Sequence, residues 1–404
     1  LHPLTLVDGY RKSLETATDQ INLDSTKIDD KKLLLVAETA LTGKGTEGAL
    51  DLFSSIIVKS LMSISEKQPI PRAENIAMFK SNAGNIHDSR IIQGVAFRRR
   101  VLMDSLPNKL SDVKVAVISG DIKIRKMTRT AEIQITSADQ LEAFVDAEQD
   151  RKNSISQSLV DSGASLVLCG GEIDRDILHN LADNNILAIG ELDSSEIENS
   201  ASATGAKIVD SIADIERKDL GFCGSVLWER NEASDMVEDI IRIDGCKKPG
   251  LVTIEVGGAG EIATEEIIRG LHDGLRAVSL AIEDQEILPG GGAIHSRIAN
   301  AVRVSSESEP GRARLAMEAF SRAMETIPGA LVENSGNDVL DSILELRAAT
   351  RNQEHFMGIN ENGKISVIDR AWHPRTVITE SLQLACETTI GMLRIDQVIS
   401  SRGD

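Results

Sequence analysis

A carboxylate and a run of glycines lie near each other along the chain, in a pattern that suggests phosphoryl chemistry. Glycines 290–292 follow Pro289 and precede a predicted helix. Glycines at a helix N-terminus leave backbone N–H groups free and allow a ligand to approach closely, which suits a phosphate or a nucleoside. Asp273 lies upstream on a predicted helix that runs toward this loop. Its carboxylate could orient or deprotonate an attacking water or help to hold Mg²⁺, although a solvent-exposed helix residue is the alternative.

A lysine-containing glycine loop is the second candidate for phosphate binding. The segment Thr42-Gly43-Lys44-Gly45 looks like the end of a phosphate loop. The Walker A pattern, however, requires a glycine where this sequence has Glu38, and a serine or threonine where it has Gly45. The segment is therefore not a Walker A motif, and a turn with a surface lysine is the alternative interpretation.

A third glycine pattern could belong to a dinucleotide site. Gly258-x-Gly260-x-x-Ala263 follows a predicted strand at 251–256 and precedes a helix, which is the context of the dinucleotide fingerprint. Two further signals are missing from the sequence, namely a convincing strand after that helix and an acidic residue at the end of a second strand about 20 residues further on. A dinucleotide-dependent oxidoreductase stays an alternative on this pattern alone.

The composition argues against several classes of function. The 404 residues include 44 Lys+Arg and 63 Asp+Glu, a formal net charge of −19, whereas a nucleic-acid binder needs clustered positive charge. Aromatic residues make up 2% of the chain, which leaves little to stack bases on. No stretch approaches the roughly 18 apolar residues that a membrane span needs. We therefore expect neither a nucleic-acid partner nor a membrane.

Cysteine and histidine spacing gives no metal site. The four cysteines fit neither a zinc-ligand spacing nor a disulfide framework, so we expect buried free thiols in a reducing, cytoplasmic compartment. His272, His295 and His373 are unpaired by spacing, and a surface or hydrogen-bonded histidine is the preferred interpretation of each.

The elements that must position these residues fall into three stretches. Residues 1–93 are predicted to be mostly helical, residues 114–245 alternate strands and helices, and the chain is predicted to be helical again from 265. The alternation predicts parallel strands with crossover helices. An α/β domain inserted into a discontinuous helical domain is the simplest layout. The predicted strands are 113–119, 131–135, 165–169, 186–189 and 207–209, and the helices between them are 174–182 and 194–204. The polar stretch 138–162 is predicted to be a projecting helix.

Many short segments, in order along nearly the whole chain, resemble subunits of the group II chaperonins, the archaeal thermosome and its relative in the eukaryotic cytosol. Each segment is weakly specific, but the ordered set is specific. The segments are His2-Pro3 to Gly9-Tyr10, 39–45 (TALTGKG), 163–169 (GASLVLC), 203–209 (ATGAKIV), 245–249 (GCKKP), 271–275 (LHDGL), 290–293 (GGGA), 314–320 (RLAMEAF), Ile327-Pro328, 333–338 (ENSGND) and 392–399 (MLRIDQVI).

The resemblance implies a multi-domain α and α/β subunit. It would combine a mostly helical, incomplete equatorial part, a small intermediate domain, and an inserted α/β apical domain with a helical protrusion. The implied segments are an equatorial remnant at 1–22, intermediate segments at 23–93 and 246–287, an apical domain at 94–245 with its protrusion at about 138–162, and a second equatorial segment at 288–404.

The same resemblance implies the function and its residues. A complete subunit of this family is expected to bind ATP with Mg²⁺ and to hydrolyse it, closing a lid over a non-native client protein within a ring of subunits. Asp273 would be the catalytic aspartate that activates water. The implied nucleotide-binding residues are Thr42, Gly43 and Lys44 at the γ-phosphate, Gly290, Gly291 and Gly292 along the nucleotide, and His373 at the ribose.

The sequence also departs from the family pattern. His295 stands where a glutamate is usual, and His373 replaces an acidic residue that meets the ribose. The two main phosphate loops of the family, one rich in Gly-Pro and one reading Gly-Asp-Gly-Thr-Thr, do not occur in the sequence. We expect this chain alone to bind Mg-ATP weakly. It is either a fragment of a complete subunit, which the start at Leu1 favours, or a shortened, non-hydrolysing holdase or structural ring component.

Overall fold

Helices predominate at both ends of the chain and strands in its middle. The computed structural model describes residues 3–65, 70–81, 84–124, 138–231, 238–247, 249–258, 260–351 and 354–395. The α-helices are α1 Pro3–Asp24, α2 Asp30–Leu41, α3 Leu50–Ser65, α4 Ala138–Ser162, α5 Arg175–Asp183, α6 Ser194–Thr204, α7 Glu261–Asp284, α8 Ala293–Ser308, α9 Ala313–Asn334, α10 Val339–Thr350 and α11 Arg375–Leu393. The strands are β1 Thr26–Lys27, β2 Ile76–Lys80, β3 Arg90–Ile92, β4 Val95–Arg99, β5 Lys109–Ile118, β6 Leu166–Cys169, β7 Leu187–Ile189, β8 Ile208–Val209, β9 Gly221–Asn231, β10 Glu238–Asp244, β11 Val252–Val256, β12 Glu286–Pro289, β13 Met357–Ile359, β14 Ile365–Val367 and β15 Trp372–Pro374.

The chain separates into two compact units. The first unit contains Leu1–Val58 and Arg269–Asp404, and the second contains Lys59–Ile268. The boundaries fall within α3 and within α7. A continuous middle segment thus forms one unit and the two ends of the chain form the other, which agrees with the predicted fold class. The finer segment boundaries of the three domains stay a prediction.

The core of the first unit lies between its helices and a small sheet. Side chains from α1, α8, α9 and α11 pack on Leu288 of β12, among them Ile21, Ile298, Phe320 and Leu382. β12 lies between β1 and β15, both antiparallel to it, and β13 and β14 form a separate hairpin. The prediction of a wholly helical stretch after 265 was therefore incomplete, because strands of three or four residues carry too little periodicity to stand out.

The second unit is built on a seven-stranded sheet with the order β4-β10-β9-β5-β6-β7, and β8 pairs with the end of β5. β6, β7 and β8 run parallel to their neighbours, joined by α5 and α6 as the alternation predicts. β9, β10 and β4, where the sequence predicts no strand, pair antiparallel. Only six residues separate the end of β9 from the start of β10, too few for the crossover connection that parallel strands need.

A second small sheet corrects two further expectations. β11 is flanked by β2, parallel to it, and β3, antiparallel to it. Residues 76–80 and 90–92 are therefore strands rather than helix, because pairing with a distant strand overrides their local pattern. After β11 the chain passes through α7 to β12, which belongs to a different sheet. In the described residues the β-α-β unit that the dinucleotide fingerprint needs is thus not formed, and the oxidoreductase alternative loses its support.

The polar helix of the second unit begins and ends where the sequence predicts. α4 runs from Ala138 to Ser162, and its residues 142–150 are exposed. Only its second half packs on the unit, where Leu159 is buried and Lys152 Nζ lies 2.6 Å from Asp176 of α5. The first half therefore projects from the unit. The predicted strand at 131–135 lies outside the described residues.

The cysteines are buried free thiols, as the sequence predicts. Burial raises the pKa of Cys169 to about 11 and those of Cys223 and Cys246 to about 12, so these thiols are unreactive near neutral pH.

Within the described ranges, no helix combines the length and the apolar character needed to cross a membrane.

Candidate functional site

The two charged candidates, Lys44 and Asp273, form an ion pair. α2 ends at Leu41, and the left-handed residues Gly43 (φ 80°) and Gly45 (φ 70°) turn the chain so that Lys44 faces α7. Lys44 Nζ donates to Oδ2 of Asp273. The two side chains are 33% and 45% exposed. A pair that is this open to solvent contributes little stability, so an incoming anion can separate it at small cost.

Glycines on α7 allow the helix to approach this loop. A side chain at Gly270 would place its Cβ 3.2 Å from Lys44 Cβ, and one at Gly274 would place it 2.5 Å from Ile57. Gly270 and Gly274 are buried, and the half-buried Asp273 lies between them in the sequence. Close packing of α7 against the loop and α3 therefore fixes where the Asp273 carboxylate lies.

The three glycines form a tight turn between β12 and α8. Gly291 and Gly292 have φ values of 58° and 72°, in the left-handed region. A Cβ on Gly290 would lie 2.9 Å from Ala371 Cβ, and one on Gly292 would lie 2.7 Å from Pro328 Cβ. Packing inside the protein alone thus requires glycine here. The triple glycine is consistent with a nucleotide loop but does not need a ligand to explain it.

Backbone donors at this turn suit an anion. The N–H of Gly290 donates to Ala371 O at 2.8 Å, and Gly291 O accepts from the N–H of Ile359 at 2.8 Å. Among the described residues, no acceptor meets the N–H groups of Gly291 and Gly292, which head the 16-residue helix α8. Free N–H groups at a helix N-terminus favour negative charge.

A pocket lies beside the glycine turn. Its volume is about 330 Å³, and Asn360, Glu361, Asp369 and Arg370 are among the residues that line it. It is bounded by the β13–β14 hairpin, which is held to the turn by the bond between Ile359 and Gly291. The volume is within the range of small-molecule sites.

His373 and His295 both lie at this turn. His373 pairs with Leu288 in the sheet, and its Nε2 would lie 3.1 Å from a Cβ on Gly290. Burial and, to a smaller extent, the neighbouring His373 together lower the pKa of His295 to about 4. Burial also lowers the pKa of His373. Both imidazoles are therefore neutral near pH 7, and neither supplies the negative charge of the acidic residues that they replace.

The buried imidazole of His295 should make the first unit sensitive to mild acid. Its Nδ1 is buried and has no hydrogen-bond partner among the described residues. The unfolded chain takes up this proton near pH 6.5, whereas the folded chain takes it up only near pH 4. The free energy of unfolding is therefore expected to fall as pH drops through this window, by about 2 kcal/mol between pH 7 and pH 5 from this group.

Urea unfolding at pH 7 and pH 5 tests this expectation. His295→Gln should lose that part of the acid sensitivity, while the same change at the exposed His87 should not alter it. An unchanged pH dependence in His295→Gln would contradict the assignment.

The lysine loop and the glycine turn are joined through the end of α2. Trp372 N–H donates to Oγ1 of Thr39 at 3.1 Å, so α2 contacts β15 just before the helix ends. Thr39 lies within the TALTGKG segment, but its sequence carries no signal of this contact. The Thr39–Trp372 bond thus links the end of α2, which leads into the Lys44 loop, to β15, which contains His373 and pairs with β12 just before Gly290. Thr42 is exposed, and its hydroxyl donates to Glu38 O of its own helix at 2.8 Å.

Comparison with solved structures gives the class of protein. The open-state monomer of a group II chaperonin from Methanococcoides burtonii superposes with a TM-score of 0.67 and 25% sequence identity, over 98% of this chain and 94% of that one. Together with the two-unit fold and the glycine turn, this likeness defines a group II chaperonin subunit.

Sequence comparison gives the family. The model of the TCP-1/cpn60 chaperonin family matches residues 1–402. Thermosome subunit beta of Archaeoglobus fulgidus is 32% identical over 412 residues, which is 100% of this chain and 75% of that protein. Thermosome subunit beta of Methanothermobacter thermautotrophicus is 34% identical over 407 residues, covering 99% and 74%. The chain belongs to the TCP-1/cpn60 chaperonin family.

Proposed function

We propose that the chain acts as a subunit of a cytoplasmic, ATP-driven chaperonin ring that encloses non-native client proteins. The observation that carries the proposal is the ion pair between Lys44 and Asp273, in the same unit as a glycine turn with free N–H groups. A lysine and a carboxylate in contact are the two groups that a terminal phosphate and its attacking water require. Ring partners and clients follow from the family and from the projecting helix α4.

The proposed roles follow from charge and geometry. The glycine turn receives the nucleotide, since its N–H groups and the α8 N-terminus favour negative charge. Lys44 contacts the γ-phosphate when that anion displaces its bond to Asp273. The released carboxylate then accepts a proton from the attacking water or orients it. Mg²⁺ arrives as part of the substrate, bound to ATP, and Asp273 is a carboxylate suited to face it.

One observation favours a second candidate function, a non-hydrolysing holdase or structural ring component. His295 and His373 are neutral near pH 7, so the turn lacks the two acidic groups of the family pattern. Nucleotide would then be held weakly or not at all, and client binding would not depend on it.

Nucleotide binding and turnover, measured on the assembled protein, separate the two candidates. The ATP-driven machine should bind ATP, release phosphate, and suppress client aggregation in a nucleotide-dependent manner. The holdase should suppress aggregation equally well without nucleotide and show no phosphate release. Absence of both nucleotide binding and client protection would overturn the proposal.

Replacement of Lys44 by Ala tests the role of the lysine. A lost charge-assisted contact costs about 1.5–3 kcal/mol, so the Kd for ATP should rise about 10-fold to 100-fold. The Kd for ADP should stay nearly unchanged, because ADP has no γ-phosphate, and lid closure should be blunted. Lys31→Ala on the exposed side of α2 is the matched control. Equal weakening of ADP and ATP would contradict the assignment.

A further inference from the structure

The edge of the small sheet in the first unit is closed by a helix side chain. Gly290 N–H donates to Ala371 O, so these opposed residues form a hydrogen-bonded pair of the antiparallel ladder. The next pair, Pro289 with Trp372, is then a non-hydrogen-bonded pair, and the Trp372 N–H points away from β12. Thr39 Oγ1 accepts from that N–H at 3.1 Å. The Trp372 N–H lies on the edge of the sheet that has no further strand within the described residues, and a single hydroxyl of α2 accepts its hydrogen bond.

The same hydroxyl is fixed by its own helix. Thr39 Oγ1 donates to Leu35 O at 2.7 Å, which leaves its lone pairs directed to β15. The next residue back, Glu38, accepts both the N–H and the hydroxyl of Thr42 at the end of the helix. The position of the loop that carries Lys44 therefore depends on where this last turn of α2 is held.

Other contacts at the same place are weaker. Glu38 Oε2 lies 3.6 Å from Arg370, whose side chain is 75% exposed. Lys32 Nζ lies 5.9 Å from the ring of Trp372. Exposed ion pairs and long cation–π contacts contribute little, so the hydroxyl bond is the specific link.

We propose that Thr39 is a positioning residue that sets the location of the Lys44 loop relative to the glycine turn. Its bond ties the last turn of α2 to Trp372, and the neighbouring residue Ala371 is tied to Gly290. The inference rests on the proposed function, because the loop and the turn are the two parts that a nucleoside triphosphate would join. Thr39 does not touch the nucleotide in this arrangement.

Hydrogen exchange without nucleotide tests the link itself. Thr39→Val keeps the branched shape and removes the acceptor, whereas Thr39→Ser keeps the hydroxyl. In Thr39→Val, exchange of the Trp372 amide should accelerate about fivefold, as for loss of one hydrogen bond, and segments 42–46 and 290–293 should also exchange faster. Thr39→Ser should behave as the wild type. Thr389→Val is the matched control, because Thr389 Oγ1 donates to Ala385 O of its own helix and has no other bond within the described part of the chain.

Nucleotide affinity tests the consequence. Thr39→Val should bind ADP as the wild type does and lose about fivefold or more of the preference for ATP over ADP, with recovery in Thr39→Ser. If the wild type binds neither nucleotide, the proposed function fails, and exchange at 42–46 and 290–293 still decides whether Thr39 positions the loop. Acceleration confined to Trp372, or unchanged exchange in Thr39→Val, would overturn the inference.

Discussion

Replacement of Asp273 by Ala is expected to lower the kcat of ATP hydrolysis by about 10²–10⁴-fold, the usual contribution of a general base. The Kd for ATP should change by less than about threefold, since the lost interaction acts on the attacking water. Because the Lys44–Asp273 pair is solvent-exposed, the free energy of unfolding should fall by no more than about 1 kcal/mol. Steady-state phosphate release and equilibrium binding of ATP, measured on the same preparation, check both statements.

Two further variants make this result specific. Asp273→Asn keeps the shape and removes the basic carboxylate, so its kcat should be as low as that of the alanine variant. Glu283→Ala removes an exposed carboxylate from the same helix and should leave turnover unchanged. Turnover in Asp273→Ala within twofold of the wild type would show that water is activated elsewhere.

Replacement of Gly292 by Ala should strongly destabilise the first unit. The residue has φ 72°, and its new Cβ would lie 2.7 Å from Pro328 Cβ and 3.0 Å from Pro328 Cα. Left-handed strain costs about 1–2 kcal/mol and overpacking about 1–3 kcal/mol, so a loss of about 3–4 kcal/mol is expected. Urea unfolding followed by circular dichroism measures the loss.

A second glycine separates strain from packing. Gly311 has φ 86°, and among the described residues no atom lies within 4 Å of the place that a Cβ would take there. Gly311→Ala should therefore cost only the left-handed strain, about 1–2 kcal/mol. Equal losses in the two variants would mean that contact with Pro328 does not constrain the turn.

Much of the site chemistry could be predicted from local sequence, but its contacts could not. Asp273, Lys44 and the three glycines stand out by residue type and by resemblance. The ion pair joins residues that are 229 positions apart in the sequence, and nothing in the sequence around either residue predicts that they come into contact. Thr39 is a further case, because a helical threonine hydroxyl commonly bonds a carbonyl of its own helix, as Thr389 does, and nothing in the local sequence distinguishes the two residues.

The strands show the same limit. β5 and β6 are buried runs that the sequence identifies correctly, because apolar residues concentrate there. β2, β3 and β12 to β15 were predicted to be helical or were not predicted, since three to five residues hold too little periodic information. Their extended conformation comes from ladder partners far along the chain, such as β11 for β2.

By itself, the sequence determined the family, the order of helical and α/β segments, the projecting helix at 138–162 and the types of chemical group available. These properties depend on residue types and on hydrophobic periodicity over a few helical turns, both of which are visible in the sequence itself. Only the tertiary structure decided that Lys44 pairs with Asp273, that Thr39 accepts a hydrogen bond from the edge N–H of β15, and that His295 and His373 are buried close to each other beside the glycine turn. Those outcomes depend on which distant segments pack together, and burial in that packing lowers the pKa of both His295 and His373.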